Sequence, residues 1–270
     1  MAVNIFSDSS NTIDKNLIEK FLKKCINNDN LELECVLDEN MITKDIFLKL
    51  IDNLKDISSD FTETNSLDIR CWERENRKLS DIRISINNLE DIKTYCKTDS
   101  LYGIDGVEYL HKEFYIDNSD ETTPNYKYQI VNNDYNYRLN VKSETSLQKE
   151  NPDVLKLLSN FENKPKHFRF KKRYSFITYD KLFRFDITAV KSSPTFKGYK
   201  YQKTFKRSDI LRNREIYEIE IEYIGSSSDD GEKLITKFHK DLIDGTFIPS
   251  IYNFPRRKQL TLEIDDDFEP

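Results

Sequence analysis

Tyr217-Glu218-Ile219-Glu220-Ile221-Glu222-Tyr223 is the stretch whose reading decides the fold. Successive side chains of a strand point to opposite faces, so Glu218, Glu220 and Glu222 share one face and the tyrosines and isoleucines the other. Leu31-Glu32-Leu33-Glu34-Cys35 repeats the pattern, with Glu32 and Glu34 opposite three apolar residues. Over 168–176, Arg169, Lys171, Arg173 and Ser175 oppose Phe168, Phe170, Tyr174 and Phe176, with Lys172 as the one exception. Over 183–189, Arg184, Asp186 and Thr188 oppose Phe183, Phe185, Ile187 and Ala189. Arg83 opposes Ile82 and Ile84, and Arg138 with Lys142 opposes Tyr137, Leu139 and Val141.

An antiparallel sheet with one solvated face gives the same alternation in any single strand. Solvated faces, however, mix in Ser, Thr, Gln and Asn, and these faces are nearly pure charge. Sign is also segregated by strand, and like charges at every second residue repel unless something binds between them. Glutamates set against Arg and Lys across a lumen, with a divalent cation between, become tolerable. The apolar faces then point outward and need a cover. The expected architecture is α+β, mainly β: a closed antiparallel barrel with a charged lumen and helices packed outside.

Helices are available for that cover. Ile13, Leu17, Ile18, Phe21, Leu22 and Cys25 recur at helical spacing, as do Ile46, Phe47, Leu50, Ile51 and Leu54. Weaker helical patterns cover 88–97, 152–161 and 231–243, and Pro152 suits a helix start. The strand readings are 31–37, 66–73, 81–87, 107–116, 126–131, 136–143, 167–177, 182–190 and 216–224. Residues 1–11 read as a disordered N-terminus, 12–245 as one domain, and 246–270 as a C-terminal extension or linker. A chain of 270 residues fits that organisation.

Composition excludes several classes. Charged residues make up 33% against 37% hydrophobic, which means either a very wet surface or charge placed inside, and the strand pattern decides for the second; the net charge is −6. A broad groove for duplex DNA needs the opposite sign. Cys25, Cys35, Cys71 and Cys96 form no CxxC pair, and His111, His167 and His239 are scattered, which argues against structural zinc and for a reducing compartment. No apolar run reaches the roughly 20 residues of a membrane span, and the N-terminus has no signal-peptide profile. A cytoplasmic location is expected.

The lumen chemistry follows from the residue types. Magnesium and manganese prefer carboxylates, water and phosphate oxygens, and Glu32, Glu34 and a glutamate from 218–222 supply such a set. Arg169, Lys171, Arg173 and Arg184 suit a triphosphate and the charge that develops as its terminal bridge breaks. Glu218 or Glu220 remains to orient or deprotonate water. There is no Gly-x-x-x-x-Gly-Lys loop, so the chain is not a P-loop enzyme.

Four segments in this order, Leu-Glu-Leu-Glu (31–34), Arg-Phe-Lys-Lys-Arg-Tyr-Ser-Phe (169–176), Arg-Phe-Asp-Ile-Thr-Ala-Val-Lys-Ser-Ser-Pro (184–194) and Tyr-Glu-Ile-Glu-Ile-Glu-Tyr (217–223), resemble the triphosphate tunnel metalloenzymes. Within these, the chain is similar to the RNA 5′-triphosphatase domain of mimivirus-like (giant virus) mRNA capping enzymes. The resemblance covers about 12–245. It implies an eight-stranded tunnel and magnesium- or manganese-dependent release of the γ-phosphate from 5′-triphosphate RNA. By motif position it implies Glu32, Glu34 and Glu222 as metal ligands, and Glu218 and Glu220 as water-binding or network residues. It further implies Arg169, Lys171, Arg173 and Arg184 as phosphate ligands, with Arg83, Arg138 and Lys142 as weaker transfers. Asp186 and Thr188 become network residues. Cys35-Val36 departs from the pattern, where many members carry an aromatic and a basic residue, so the first strand is expected to contribute no cation.

In such viral enzymes a guanylyltransferase with a Lys-x-Asp-Gly nucleophile follows, and a methyltransferase is a further associated activity. Neither Asp105-Gly106 nor Asp244-Gly245 has lysine at the required offset, so those activities are expected on a fused segment or a separate subunit. In a virus, the place of action would be the viral factory or virion. Two other functions fit the pattern: a tunnel acting on tripolyphosphate or free nucleotides, and a non-catalytic subunit of a capping complex.

Overall fold

A computed structural model describes residues 15–73, 75, 77–117, 126–132, 137–194 and 200–225. The strands are β1 (Leu31–Leu37), β2 (Ser58–Glu73), β3 (Lys78–Leu79), β4 (Ile82–Ile86), β5 (Val107–Phe114), β6 (Ile116–Asp117), β7 (Tyr126–Lys127), β8 (Gln129–Asn132), β9 (Tyr137–Leu147), β10 (Lys166–Thr178), β11 (Phe183–Ser192) and β12 (Ile216–Tyr223). The helices are α1 (Lys15–Ile26), α2 (Lys44–Ile57), α3 (Leu89–Thr98), α4 (Pro152–Leu158) and α5 (Phe205–Ser208).

Eight strands close a ring in the order β1–β12–β11–β10–β2–β4–β5–β9, and β9 pairs back onto β1. Every pairing in the ring is antiparallel. Closure leaves no free edge in the ring. β8 pairs with β9 beside β5, β3 folds back on the end of β2, and β6 pairs with β7 separately.

The barrel is inverted, as the alternation requires. Outward-facing Leu33, Cys35, Leu37, Leu139, Val141, Phe185, Ile187, Ile219 and Ile221 form one core with Phe21 and Leu22 of α1 and Ile46, Phe47, Leu50, Ile51 and Leu54 of α2. On the other flank, Leu67, Ile69, Ile84, Tyr109 and Phe168 pack with Ile92 and Tyr95 of α3, Val154 and Leu157 of α4, and Phe205. Each such fully buried apolar side chain contributes roughly 1.5–3 kcal/mol relative to exposure. Local caps fix where the helices begin: Thr43 accepts from Ile46 N at 3.3 Å, Asn88 from Asp91 N at 2.8 Å, and Asn151 from Asp153 N at 2.9 Å. Pro152 opens α4.

The departures from the sequence reading have physical reasons. β2 starts at Ser58, not 66, because its polar first half is held by a ladder to β10, with one register shift between Ile177 and Thr178, rather than by apolar burial. The 126–131 reading divides into β7 and β8, and 136–143 runs on to Leu147. The 152–161 helix stops at Leu158, where Asn160 takes a left-handed conformation before a 3-10 turn. α5 is short and carries too little periodicity to be read. The readings for 1–11, 231–243 and 246–270 lie outside the described residues. Among the described residues no helix is long and apolar enough to cross a membrane.

One outward-facing lysine is fully buried. Lys166 Nζ donates to the carbonyls of Lys203 (2.7 Å), Lys164 (3.2 Å) and Glu162 (3.4 Å) and lies 4.5 Å from the Phe161 ring centre. Backbone carbonyls thus satisfy its three N–H bonds, and the start of β10 is tied to the segment before α5.

Candidate functional site: a charged lumen

The ring brings the charged faces together. Glu34 of β1 sits opposite Glu222 of β12, and Val36 opposite Glu220. Arg184 of β11 sits opposite Glu222, and Asp186 opposite Glu220. On the other side of β1, Glu32 faces Lys142 of β9 and Val36 faces Arg138. Every candidate named from the sequence lies on a lumen-facing position of the ring.

Acid and base pair across strands. Arg169 Nη2 holds both oxygens of Glu218, at 2.5 and 2.6 Å. Arg184 binds Glu222 and reaches Asp186 at 3.3 Å. Arg173 lies 3.3 Å from Asp186 and 4.0 Å from Glu220. Ser175 Oγ donates to Asp186 at 2.6 Å. Lys112 of β5 bridges Glu32 (2.7 Å), Glu34 (2.6 Å) and Glu144 (3.2 Å), and Lys142 also binds Glu34. Lys172, the exception to the alternation, points outward and pairs with Glu63 at 2.8 Å. The first strand contributes no cation, and β5 and β9 supply the cations that hold it.

Part of this network was missed in the sequence. Asp68 is buried; it accepts from Ser85 at 2.8 Å, binds Lys171 and lies 3.8 Å from Arg83. Leu67-Asp68-Ile69-Arg70-Cys71 alternates as cleanly as 31–35, so the signal for Asp68 was present. Lys112 gave none, because its face of β5 also carries Leu110 and Phe114. Glu144 lies one residue past the expected end of its strand.

The electrostatics divide the carboxylates. Burial raises the Glu34 and Asp68 carboxyls, but adjacent cations outweigh it: Lys112 and Lys142 hold Glu34 below the usual range, and Lys171 with Arg83 brings Asp68 to about 2. Glu222 goes the other way. Burial pushes it up, Glu32 and Asp186 add to the rise against Arg184, and it reaches about 7. Burial also lowers Lys171, which Arg169, Arg83 and Arg173 crowd, and burial takes His167 down to about 4.

At the end of the tunnel where β1 finishes and β12 begins, a cavity of about 210 Å³ opens between Val36, Arg138, Arg169 and Glu218. A larger cavity of about 720 Å³ lies outside the barrel, between Trp72, His111 and α4. It contains none of the lumen pairs.

The ring closure, the lumen and the helical cover have close counterparts among solved structures. The RNA triphosphatase domain of the trifunctional mimivirus mRNA capping enzyme superposes with a TM-score of 0.60, over 92% of this chain and 100% of that one, at 22% identity. The chain has the tunnel fold of that domain. A monoclinic form of the mimivirus capping enzyme triphosphatase matches the tunnel over 87% of this chain and 96% of that one, at TM-score 0.58 and 22% identity. A triclinic form matches over 83% and 93%, at TM-score 0.57 and 20% identity. No family model and no curated protein matches the sequence. The tunnel fold is therefore shared across a sequence divergence at which the roles of single residues must be argued from this lumen itself.

Proposed function

We propose that this chain is a metal-dependent phosphohydrolase that removes the γ-phosphate from 5′-triphosphate RNA, leaving diphosphate ends for mRNA capping. The observation that carries the proposal is the facing of Glu32, Glu34 and Glu222 on two neighbouring strands, beside the cationic runs of β10 and β11. Acids and bases in the lumen roughly balance. A triphosphate would unbalance them unless it came with divalent cations.

The donor set fits a hard divalent cation such as magnesium or manganese: three carboxylates on adjacent lumen positions, one of them raised to about 7 by burial and by the neighbouring Glu32 and Asp186. As they stand, no three carboxylate, His or Cys groups among the described residues converge on one point, because Lys112 and Lys142 occupy Glu34. Glu32, Glu34 and Glu222 would hold the ion once those ammonium groups let go. Bound there, the ion would neutralise phosphate charge and polarise a phosphoryl oxygen.

The chain's own residues do the rest. Lys112 and Lys142, released from Glu34, turn to the phosphates. Arg169, Lys171, Arg173 and Arg184, with Arg83 and Arg138, bind the triphosphate and stabilise the charge on the β-phosphate oxygen as the bond to the γ-phosphorus breaks. Asp186 fixes Arg173 and Arg184. Glu220 is the better water-activating base. Both oxygens of Glu218 are engaged by Arg169, whereas the nearest cation to Glu220 among the described residues is 4.0 Å away. Water attacks the γ-phosphorus, its proton passes to Glu220, and the diphosphate end departs. On this reading, a guanylyltransferase and a methyltransferase act next on the diphosphate end, and the protein acts in the cytoplasm.

Competition tests the substrate. Triphosphate-ended RNA is expected to be cleaved with a higher kcat/KM than tripolyphosphate, giving diphosphate and not monophosphate ends. Strong preference for tripolyphosphate would transfer the tunnel to the other substrate class.

A further inference from the structure

Arg169, Lys171, Arg173 and Arg184 each hold a lumen carboxylate. Another lumen cation is held more loosely. Leu67, Ile69 and Cys71 of β2 pack in the outer core, so Arg70 shares the lumen face with Asp68. Its Nε donates to the Ser80 carbonyl at 2.7 Å. Its nearest carboxylate among the described residues is Asp81, 4.0 Å away, half exposed and already paired with Lys78. Burial pulls the Arg70 guanidinium below its usual range, and the neighbouring Arg83 and Arg169 add to that against Asp81. Positive charge is in excess here.

Facing Arg70 across the β2–β10 ladder is His167, two residues before Arg169 on the same face of β10. The imidazole is 6% exposed, with the Tyr201 ring edge-on at 5.7 Å, and its Nε2 has no hydrogen-bond partner among the described residues. A buried ring nitrogen without a partner is costly unless a ligand supplies one. Burial, with Arg169 and Arg70 nearby, keeps the ring neutral, so it can carry its proton on Nε2 and donate it. Two guanidinium groups beside one imidazole N–H suit the oxygens of a phosphate.

We propose that Arg70 and His167 form a subsite for the phosphodiester that follows the first nucleoside of the RNA. The assignment rests on the hydrolase reading above. Position favours this phosphate: both residues lie past Arg169, at the end of the basic run of β10, where the triphosphate cations stop. A free nucleotide or tripolyphosphate has no anion to place there, so the subsite favours an RNA end over both. A contact to phosphate carries no sequence information and accepts any transcript.

The test compares KM for a short triphosphate-ended RNA with KM for a nucleoside triphosphate, which ends before that phosphodiester. The variants are Arg70→Gln, Arg70→Lys, His167→Phe and His167→Gln. The ratio of RNA KM to nucleotide KM is expected to rise about tenfold in Arg70→Gln and severalfold in His167→Phe. Arg70→Lys keeps the charge and His167→Gln keeps an N–H, so both should recover much of the loss. Phe preserves the ring against Tyr201. In Arg70→Gln the slope of log KM for RNA against log salt should also fall by about 0.7, the share of one phosphate contact on a single strand. A fault in packing would not change that slope. KM rising equally for both substrates would put Arg70 on the triphosphate itself and overturn the subsite. A ratio unchanged in Arg70→Gln and His167→Phe, with both substrates still cleaved, overturns it as well. Failure of the unmodified protein to cleave either substrate overturns the hydrolase reading and this one with it.

Discussion

Glu222→Gln is expected to lower turnover by about a thousandfold, the scale of losing a charged metal ligand, while leaving the metal-free protein as stable as the parent or more so. The two halves have one cause. Glu222 faces Glu34 across the β1–β12 ladder and is close to Glu32 and Asp186, with Arg184 as its one ion-pair partner among the described residues. Burial and these like charges raise its carboxyl from 4.5 to about 7. An acid whose folded pKa lies above its unfolded value costs stability as pH rises from the unfolded pKa through the folded one. The Gln variant should therefore gain stability over the parent between pH 4.5 and about 7, read as the difference in Tm across that window. A Gln variant that turns over normally would remove Glu222 from the ion site. One that unfolds at every pH would make it a structural residue. Glu32→Ala is expected to lose turnover similarly.

Asp68→Asn should have the largest effect on stability. Asp68 is buried beside Lys171, itself buried, and lies 3.8 Å from Arg83. Removing its charge leaves the buried Lys171 uncompensated, with an expected loss of about 3–5 kcal/mol. The expected pH dependence is opposite to that of Glu222. A carboxyl held at about 2 stabilises the fold above its ordinary 3.8, and that stabilisation is lost as pH falls from 3.8 to about 2. The parent should lose stability steeply through that window, and Asp68→Asn should be flatter there. Urea midpoints at pH 7 measure the loss. The double variant Asp68→Asn with Lys171→Met should recover most of it, because the charge of Lys171 goes with that of Asp68 and Arg83 keeps Glu144 at 3.8 Å. A single variant within about 0.5 kcal/mol of the parent would show that the pair is solvated.

These effects follow from a lumen that was largely legible in the sequence. Strict alternation with pure charge on one face exposed β1, β10, β11 and β12, since a strand with period two can hide its apolar residues only on the other side. What stayed hidden depended on partners rather than pattern. The first half of β2 is a strand only because β10 lies alongside it. Lys112 shares its face with Leu110 and Phe114, so nothing local marks it as the cation that bridges Glu32, Glu34 and Glu144. The segregation of sign by strand led to glutamates set against Arg and Lys across a lumen, with a divalent cation between. Each acidic strand does lie within reach of basic side chains from other strands of the ring, so the protein carries its own counter-charges. The metal ion and the substrate would therefore compete with lysines already in place, which makes the lumen exchange partners rather than simply fill.

The most direct test of the account is release of labelled phosphate from γ-labelled triphosphate-ended RNA, with magnesium, with manganese, and with a chelator. The account predicts release only with a divalent cation, diphosphate-ended RNA as the product, and loss of release in Glu222→Gln. Release undiminished by the chelator, or no release under any of these conditions from folded protein, would contradict it.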